Sequence, residues 1–213
     1  MSDIEGSFYE GHYERVLALG NLPWVLKLTK AERTKIYCLC ARSFLALWQQ
    51  AKIFDLSLNG ADEFRFAELA TECVNQEGAV ADYCRAWALR ILVMYACGDK
   101  KDAYTCLDEK SSRYRDNSQL ALAWATILIW RGDFSEVIYM AKMAQSFAMR
   151  EGDVSCHARA LYCRAIACQK KGDAKSAEKY FLRAKKFLEE NFPEPENRTP
   201  EIKRLLDKIQ NVM

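Results

Sequence analysis

Apolar residues recur along most of this sequence at the spacing of amphipathic α-helices. Residues 30–47 place an apolar set on one face, composed of Ile36, Tyr37, Cys40, Phe44 and Leu47. Residues 118–130 form the longest uncharged apolar stretch, and its 13 residues are fewer than the ~20 that a membrane-spanning helix needs. The four prolines, at 23, 193, 195 and 200, leave residues 24–192 without a helix breaker. These patterns predict a mostly helical protein with a buried helix at 118–130.

Three Gly-Asp pairs interrupt the helical pattern and separate successive predicted helices. Gly98-Asp99, Gly132-Asp133 and Gly172-Asp173 each end one apolar run and precede a second, with the glycines 34 and then 40 residues apart. We expect each glycine to adopt the left-handed conformation that ends a helix, and each aspartate to cap the next helix. A helix–turn–helix unit with a 34-residue period is typical of tetratricopeptide repeats.

Small and large residues also recur at fixed distances from these glycines. The positions seven residues before and five, nine and twelve residues after each glycine are Ile91, Ala103, Leu107 and Lys110; Ala125, Val137, Ala141 and Ala144; and Ala165, Ala177, Phe181 and Ala184. Small residues would let paired helices approach closely, and larger ones would fill the space between units. A second motif, Glu77-Gly78-x-Val80, returns 74 residues later as Glu151-Gly152-x-Val154. Both copies are predicted to open the first helix of a unit.

The sequence therefore predicts an all-α fold, a tetratricopeptide-like α-solenoid of about five helical hairpins over residues 1–192. An additional helix is expected at 61–76, outside the 34-residue spacing. A polar, proline-rich linker at 193–200 then leads to a C-terminal capping helix at 201–213, with Thr199 as its N-cap and Pro200 in its first position. The apolar stripe of that helix consists of Ile202, Leu205, Leu206 and Ile209.

Charge and residue content weigh against several classes of function. The 31 basic and 29 acidic residues give a net charge of +2, too balanced to indicate nucleic acid or an acidic membrane as the main partner. Seven basic residues lie within 170–186; we interpret them as the solvated face of a helix, with a patch for phosphate or an acidic partner as the alternative.

Candidate chemistry is sparse. Cys156 and His157 are adjacent, which directs their side chains about 100° apart on a helix, so a nucleophilic Cys156 is the disfavoured alternative. The nine cysteines are odd in number and include no C-x2-C pair, which favours packing roles in a reducing compartment over zinc ligation or disulfides. The acidic N-terminal residues contain no apolar signal segment, so a cytoplasmic location is expected. We expect no enzyme activity, catalytic residue, metal or cofactor.

A protein partner is the expected ligand. In such a solenoid the first helices of the units line a concave groove, and here their residues are substantially apolar. The predicted contact residues are Arg85, Leu92, Tyr95, Leu122, Ile129, Trp130, Arg159, Tyr162 and Ile166. The alternative is that flanking helices cover this groove. Arg90 and Arg164 also interrupt apolar stretches, either as residues ion-paired at the groove edge or as partner contacts.

Four further features are distributed along the chain: Phe8-Tyr9-x-Gly11-x-Tyr13 with Leu17, Ala41-x-x-Phe44-Leu45-Ala46-Leu47, the extra helix at 61–76 and the Leu/Ala-rich unit after Asn117. With these features the chain resembles, within the repeat class, the epsilon subunit family of coatomer. Arg90 and Arg164 depart from the pattern, since they stand where a repeat normally has Leu. The resemblance implies a solenoid that wraps a C-terminal segment of the alpha coat subunit.

The same resemblance implies a role in COPI vesicle coats and ER–Golgi transport. The protein would then be cytoplasmic, at the periphery of Golgi or vesicle membranes, and would meet the membrane only through the coat. Neither nucleic acid nor a small-molecule substrate is expected. The alternative is a tetratricopeptide adaptor or co-chaperone for short peptides. The positions of a carboxylate clamp carry Leu89, Leu92, Ala123, Thr126, Cys163 and Ile166 instead of Asn, so that adaptor would lack the clamp.

Overall fold

The computed structural model of the chain describes residues 2–20, 22–53, 71, 80–198 and 200–212. Within these ranges it contains ten α-helices, two short 3-10 helices and no strand, so the predicted all-α class is confirmed. The extra helix predicted at 61–76 falls largely outside the described residues, as do the first Glu-Gly motif at 77–78 and Thr199. The chain divides into two compact units, Met1–Lys110 and Ser111–Met213.

The N-terminal unit contains five α-helices: α1 (Ser2–Glu10), α2 (Tyr13–Gly20), α3 (Lys30–Ile53), α4 (Val80–Cys97) and α5 (Lys100–Arg113), the last running past the unit boundary. Helices α1, α2 and α3 pack on one another, and α3 packs on α4. A reciprocal capping box starts α3, because the Thr29 backbone N–H donates to the Glu32 carboxylate at 3.0 Å and the Glu32 N–H donates to Thr29 Oγ1 at 3.3 Å. The core of this unit includes Ile4, Phe8, Val16, Ile36 and Cys40.

The C-terminal unit consists of consecutive helices joined by short turns: α6 (Ser118–Arg131), α7 (Phe134–Glu151), α8 (Val154–Lys170), α9 (Ala174–Asn191) and α10 (Pro200–Val212). Each of α6–α9 packs on its successor, and α9 packs on α10. Helix α8 also contacts α6 and α10, the helices two positions before and after it. Helices α6, α8 and α10 therefore lie side by side.

The glycine turns have the predicted backbone. Gly98, Gly132 and Gly172 have φ values of 103°, 87° and 81°, all left-handed. After α6, the Asp133 N–H donates to the Leu128 carbonyl at 3.0 Å, so the left-handed glycine lets this N–H reach back to the last turn of the helix. Asp173 caps α9 by accepting from the Ser176 N–H at 3.0 Å. The capping prediction is wrong for Asp133, whose carboxylate makes no cap bond and pairs with Arg131 instead.

Substitution of Gly132 tests the importance of this turn. Gly132→Ala is expected to lower the free energy of unfolding by about 1 kcal/mol, because an L-residue is strained at φ 87° although no atom lies within 4 Å of an added Cβ. Gly132→Asn is the matched control and should retain more stability, because Asn tolerates the left-handed region. Urea unfolding measures both variants, and equal stability of the Ala and Asn variants would contradict the backbone explanation.

The twelve residues at fixed distances from the glycines are all buried, with exposed fractions between 0% and 7%. Lys110 is the only charged residue among the twelve, and the equivalent positions in the other two units carry Ala144 and Ala184. Its Nζ lies 4.1 Å from the Trp87 ring centroid and 3.1 Å from Glu109 Oε1. Burial opposes the positive charge, but the hydrogen bond to Glu109 and the nearby Tyr83 hydroxyl together raise the pKa of Lys110. The N-terminal unit thus accommodates a cation at this position.

The apolar stripe predicted for the last helix is buried against its neighbouring helices. Ile202, Leu205, Leu206 and Ile209 of α10 are buried in a cluster with side chains of α8 and α9 that include Leu161, Phe181 and Leu188. Their spacing of three or four residues places all four on the face that meets those helices. Because that face is apolar, α10 shields from water the apolar surface of α8 and α9 on which it packs.

Candidate functional site

The predicted contact residues of the N-terminal unit lie on α4, and only one of the three is exposed. Arg85 is exposed, whereas Leu92 and Tyr95 retain 7% exposure each. The Tyr95 ring lies edge-on to Tyr104 of α5 at 5.9 Å and has the Lys100 ammonium 5.7 Å from its centroid. Leu92 and Tyr95 are therefore buried within their unit, as the covered-groove alternative expects, and a partner contact at either residue stays a prediction. Tyr95 attaches α4 to α5.

Leu122 of α6 was also predicted to contact a partner, and it too is buried within its unit. Its exposed fraction is 3%, and it belongs to a core cluster shared by α6, α7 and α8, with Ala125, Ala141 and Ala160 among its members. The small alanines bring the three helices close together, so the Leu122 side chain fills the space between them. Leu122 consequently contributes to stability.

The other five predicted residues share an intermediate degree of burial. They lie on α6 and α8 and are called the first-helix surface below: Ile129, Trp130, Arg159, Tyr162 and Ile166. Tyr162 packs on Phe181 with ring centroids 5.7 Å apart, and burial raises the pKa of its hydroxyl. Ile129 packs on the α6–α8 cluster, and Ile166 packs on the α8–α10 cluster. Each side chain thus has an anchored part and a part that remains in contact with water.

A polar clamp fixes α6 beside the start of α8. The Glu151 carboxylate accepts the backbone N–H of Ser118 at 3.0 Å and also the Ser118 hydroxyl. Gln119 Nε2 donates to Asp153 Oδ2 at 2.7 Å, while the other Asp153 oxygen caps α8 by accepting from the Cys156 N–H at 2.9 Å. The second copy of the Glu-Gly motif, Glu151-Gly152-x-Val154, therefore supplies a link between α6 and α8, a role that its sequence position alone does not indicate.

Arg164 is held by neighbours in its own unit. Its Nη1 donates to Gln145 Oε1 of α7 at 2.7 Å, and its Nη2 donates to the Tyr180 hydroxyl of α9 at 2.6 Å. The guanidinium carbon also lies 4.1 Å from the centroid of the Tyr180 ring. These contacts join α7, α8 and α9 and favour the intramolecular role for Arg164 over the partner contact.

Arg90 has a comparable environment in the N-terminal unit. Its Nη1 donates to Thr71 Oγ1 at 3.1 Å, and its guanidinium carbon lies 4.9 Å from the Trp87 ring centroid. Thr71 is fully buried, so this hydrogen bond satisfies a hydroxyl that water does not reach. The intramolecular role is favoured here too.

The neighbouring Cys156 and His157 occupy environments that oppose nucleophilic chemistry. Burial raises the pKa of Cys156 to about 12, so its thiol stays protonated at neutral pH. His157 stacks on Phe187 at 4.1 Å, and its Nε2 lies 3.3 Å from Gln145 Nε2. Because Gln145 Oε1 already accepts from Arg164, its amide nitrogen must donate to His157 Nε2. The proton of the neutral ring is then on Nδ1.

This arrangement predicts a pH dependence of stability that arises from His157. Burial, followed by the positive charge of Arg183, lowers the pKa of His157, so the unfolded chain takes up the proton first. Stability should fall as the pH drops below the unfolded value of about 6.5, by at most about 1.4 kcal/mol per pH unit, until the folded ring is also protonated. Urea unfolding between pH 7.5 and 5 measures this slope.

The control for this experiment is His157→Phe, which retains an aromatic ring against Phe187 and cannot be protonated. The unfolding free energy of this variant should be less dependent on pH over the same range than that of the wild type. Identical slopes for the two proteins would show that the His157 pKa is not lowered by folding.

The described cysteines are free thiols. Burial raises the pKa of Cys40 to about 12 and that of Cys163 to about 11, as expected for thiols that pack as small apolar groups. Across the described residues, no three His, Cys, Asp or Glu side chains come together in a way that could hold a metal ion. The described helices include none with the length and apolar character needed to cross a membrane.

The most exposed large apolar side chains lie elsewhere than on the first-helix surface. Tyr139 and Met149 of α7 are 63% and 67% exposed, and Leu182 of α9 is 46% exposed. None of these three residues is among the predicted contact residues. Each of them lies on the polar side of its amphipathic helix, and that position in the sequence pattern could have predicted their exposure.

The chain matches no protein-family model and no curated protein.

Proposed function

We propose that the protein is a non-enzymatic interaction scaffold, a tetratricopeptide-like solenoid that binds a segment of a larger protein along its first helices. The observation that carries the proposal is the contact of α8 with both α6 and α10 in addition to its sequence neighbours. Side-by-side alternate helices are the packing of stacked helical hairpins. The burial of the residues at fixed distances from the glycines supports the same repeat.

The first-helix surface is the binding surface in this proposal. Trp130 and Tyr162 are large, partly buried aromatic residues, which are the types that most often dominate binding energy at protein interfaces. Because Tyr162 is anchored on Phe181, it loses little side-chain freedom when a partner binds. The partner segment is therefore expected to present apolar side chains to α6 and α8.

A coat subunit of the epsilon-coatomer type is the specific form of this proposal, with a segment of a larger, alpha-coatomer-like subunit as the partner. The resemblance in residues 8–17 and 41–47 supports it. The alternative is an adaptor or co-chaperone that binds short peptides without a carboxylate clamp. A permanent subunit would bury more surface than a peptide adaptor and should therefore dissociate more slowly.

Co-purification from the cells that express the protein distinguishes these possibilities. The tagged full-length chain should retain one larger coat subunit in near-equal amount through a wash in 0.5 M salt. Recovery of chaperones or of diverse peptide-bearing proteins would replace the coat role with the adaptor role. Recovery of no stoichiometric protein would contradict the scaffold function.

A further inference from the structure

The outward face of α9 carries an unusual concentration of positive charge. Lys175, Lys179 and Arg183 follow one another at intervals of four residues and are all exposed, with the exposed Leu182 beside them. Lys186 extends the same face by one turn but is paired with Glu190 at 3.6 Å. In the part of the chain that the structure describes, Lys175, Lys179 and Arg183 form no ion pair. The three cations with Leu182 are called the α9 basic face below.

The α9 basic face is unfavourable for the isolated helix. Like charges four residues apart repel one another, and this spacing occurs twice among these three residues. Lys175 also lies in the first turn of α9, where the helix dipole disfavours a cation and where the turn itself contains no acidic residue. Asp173, which caps the helix, and Glu178, three residues after Lys175, offset part of this repulsion, and negative charge supplied from outside would relieve the remainder.

The net charge of the C-terminal unit also favours an acidic ligand. Residues 111–213 contain 18 Lys and Arg against 13 Asp and Glu, whereas residues 1–110 contain 13 against 16. Long-range attraction of an acidic molecule would therefore favour the C-terminal unit, which also carries the first-helix surface.

We propose that the α9 basic face docks an acidic segment of the partner protein, with carboxylates on Lys175, Lys179 and Arg183 and an apolar side chain on Leu182. The inference rests on the proposed scaffold function and adds the charge of the partner to it. Residues 175–183 extend about 12 Å along the helix, which an extended segment of about four residues matches. Glu178 and the Glu189–Glu190 pair border this face and would repel a broad anionic membrane surface more than a narrow peptide.

The test uses the full-length chain and a fluorescent ten-residue peptide of alternating Glu and Leu. A second peptide with Gln in place of each Glu serves as the reference. Fluorescence anisotropy should show that the Glu peptide binds at least about tenfold more tightly than the Gln peptide at 50 mM salt. The difference should shrink at 500 mM salt, because exposed charges are screened.

Substitutions locate the binding site. The triple variant Lys175→Gln, Lys179→Gln, Arg183→Gln should weaken Glu-peptide binding about tenfold. The matched control removes three exposed positive charges from other parts of the same unit, Arg115→Gln, Lys142→Gln and Lys203→Gln, and should change the affinity less than twofold. Equal losses in the two variants would overturn the assignment and leave only a general charge effect.

Two further outcomes also overturn the proposal. One is equal binding of the Glu and Gln peptides. The other is binding to vesicles that contain phosphatidylserine without binding to the Glu peptide, which would assign the face to a membrane. The proposed scaffold function fails separately, because it depends on co-purification and on the first-helix surface, which the triple variant leaves intact.

Discussion

Phe181→Ala is expected to lower the free energy of unfolding of the C-terminal unit by about 4 kcal/mol, one of the two largest effects predicted for this protein. Phe181 is 2% exposed and lies in the cluster that unites α8, α9 and α10. Its removal would leave a cavity beneath Tyr162, whose ring centroid is 5.7 Å away. Thermal and urea unfolding followed by circular dichroism measure the loss.

The neighbouring residue provides the control. Leu182→Ala removes a side chain that is 46% exposed, and its effect should be below about 0.5 kcal/mol. The sequence alone shows two adjacent large apolar residues, so the contrast depends on the face of α9 that each occupies. Comparable losses for the two variants would contradict the described packing of α9 on α8 and α10.

Trp130→Asp is expected to weaken partner capture about 100-fold or more. An aromatic residue at the centre of an interface often contributes about 2–4 kcal/mol, and a carboxylate placed there would also have to lose water without a partner. A loss of about 3 kcal/mol corresponds to slightly more than 100-fold in affinity. The partner recovered by co-purification is titrated against the wild type and the variant, and circular dichroism verifies that the helices are retained.

Tyr139→Asp is the matched control for this experiment. It makes the same kind of change on α7, at a residue that is 63% exposed and outside the first-helix surface. Its affinity for the partner should match that of the wild type within twofold. If Tyr139→Asp abolishes capture and Trp130→Asp does not, the partner binds the second helices and the assignment of the surface is wrong.

The glycine turns and the buried positions around them were predictable from the sequence because they depend on local rules. A glycine after an apolar run predicts a left-handed helix end wherever it occurs, and Gly98, Gly132 and Gly172 all have that conformation. The distances from each glycine to the small and large residues follow from helical periodicity, and those residues are buried. The predicted Asp133 cap does not form, because a side chain can choose among several nearby partners and here Arg131 lies close enough to compete.

The candidate surface was less predictable, for a physical reason. Helical periodicity tells which residues share a face, but it does not tell how far a neighbouring helix covers that face. Leu122 and Ile129 both lie on α6, yet the first is buried among the alanines of α7 and α8 and the second is only partly covered. Three of the nine predicted contact residues, Leu92, Tyr95 and Leu122, are buried for this reason.

The sequence by itself determined the helical class, the positions of the glycine turns and the buried positions at fixed distances from them, because these depend on contacts within a few residues along the chain. The tertiary structure alone decided which apolar residues keep contact with water and which polar groups are joined. The Glu151–Ser118 clamp and the Gln145–Arg164–Tyr180 contacts join atoms on different helices. Such contacts depend on helix separation and rotation, which the summed packing of the whole unit sets.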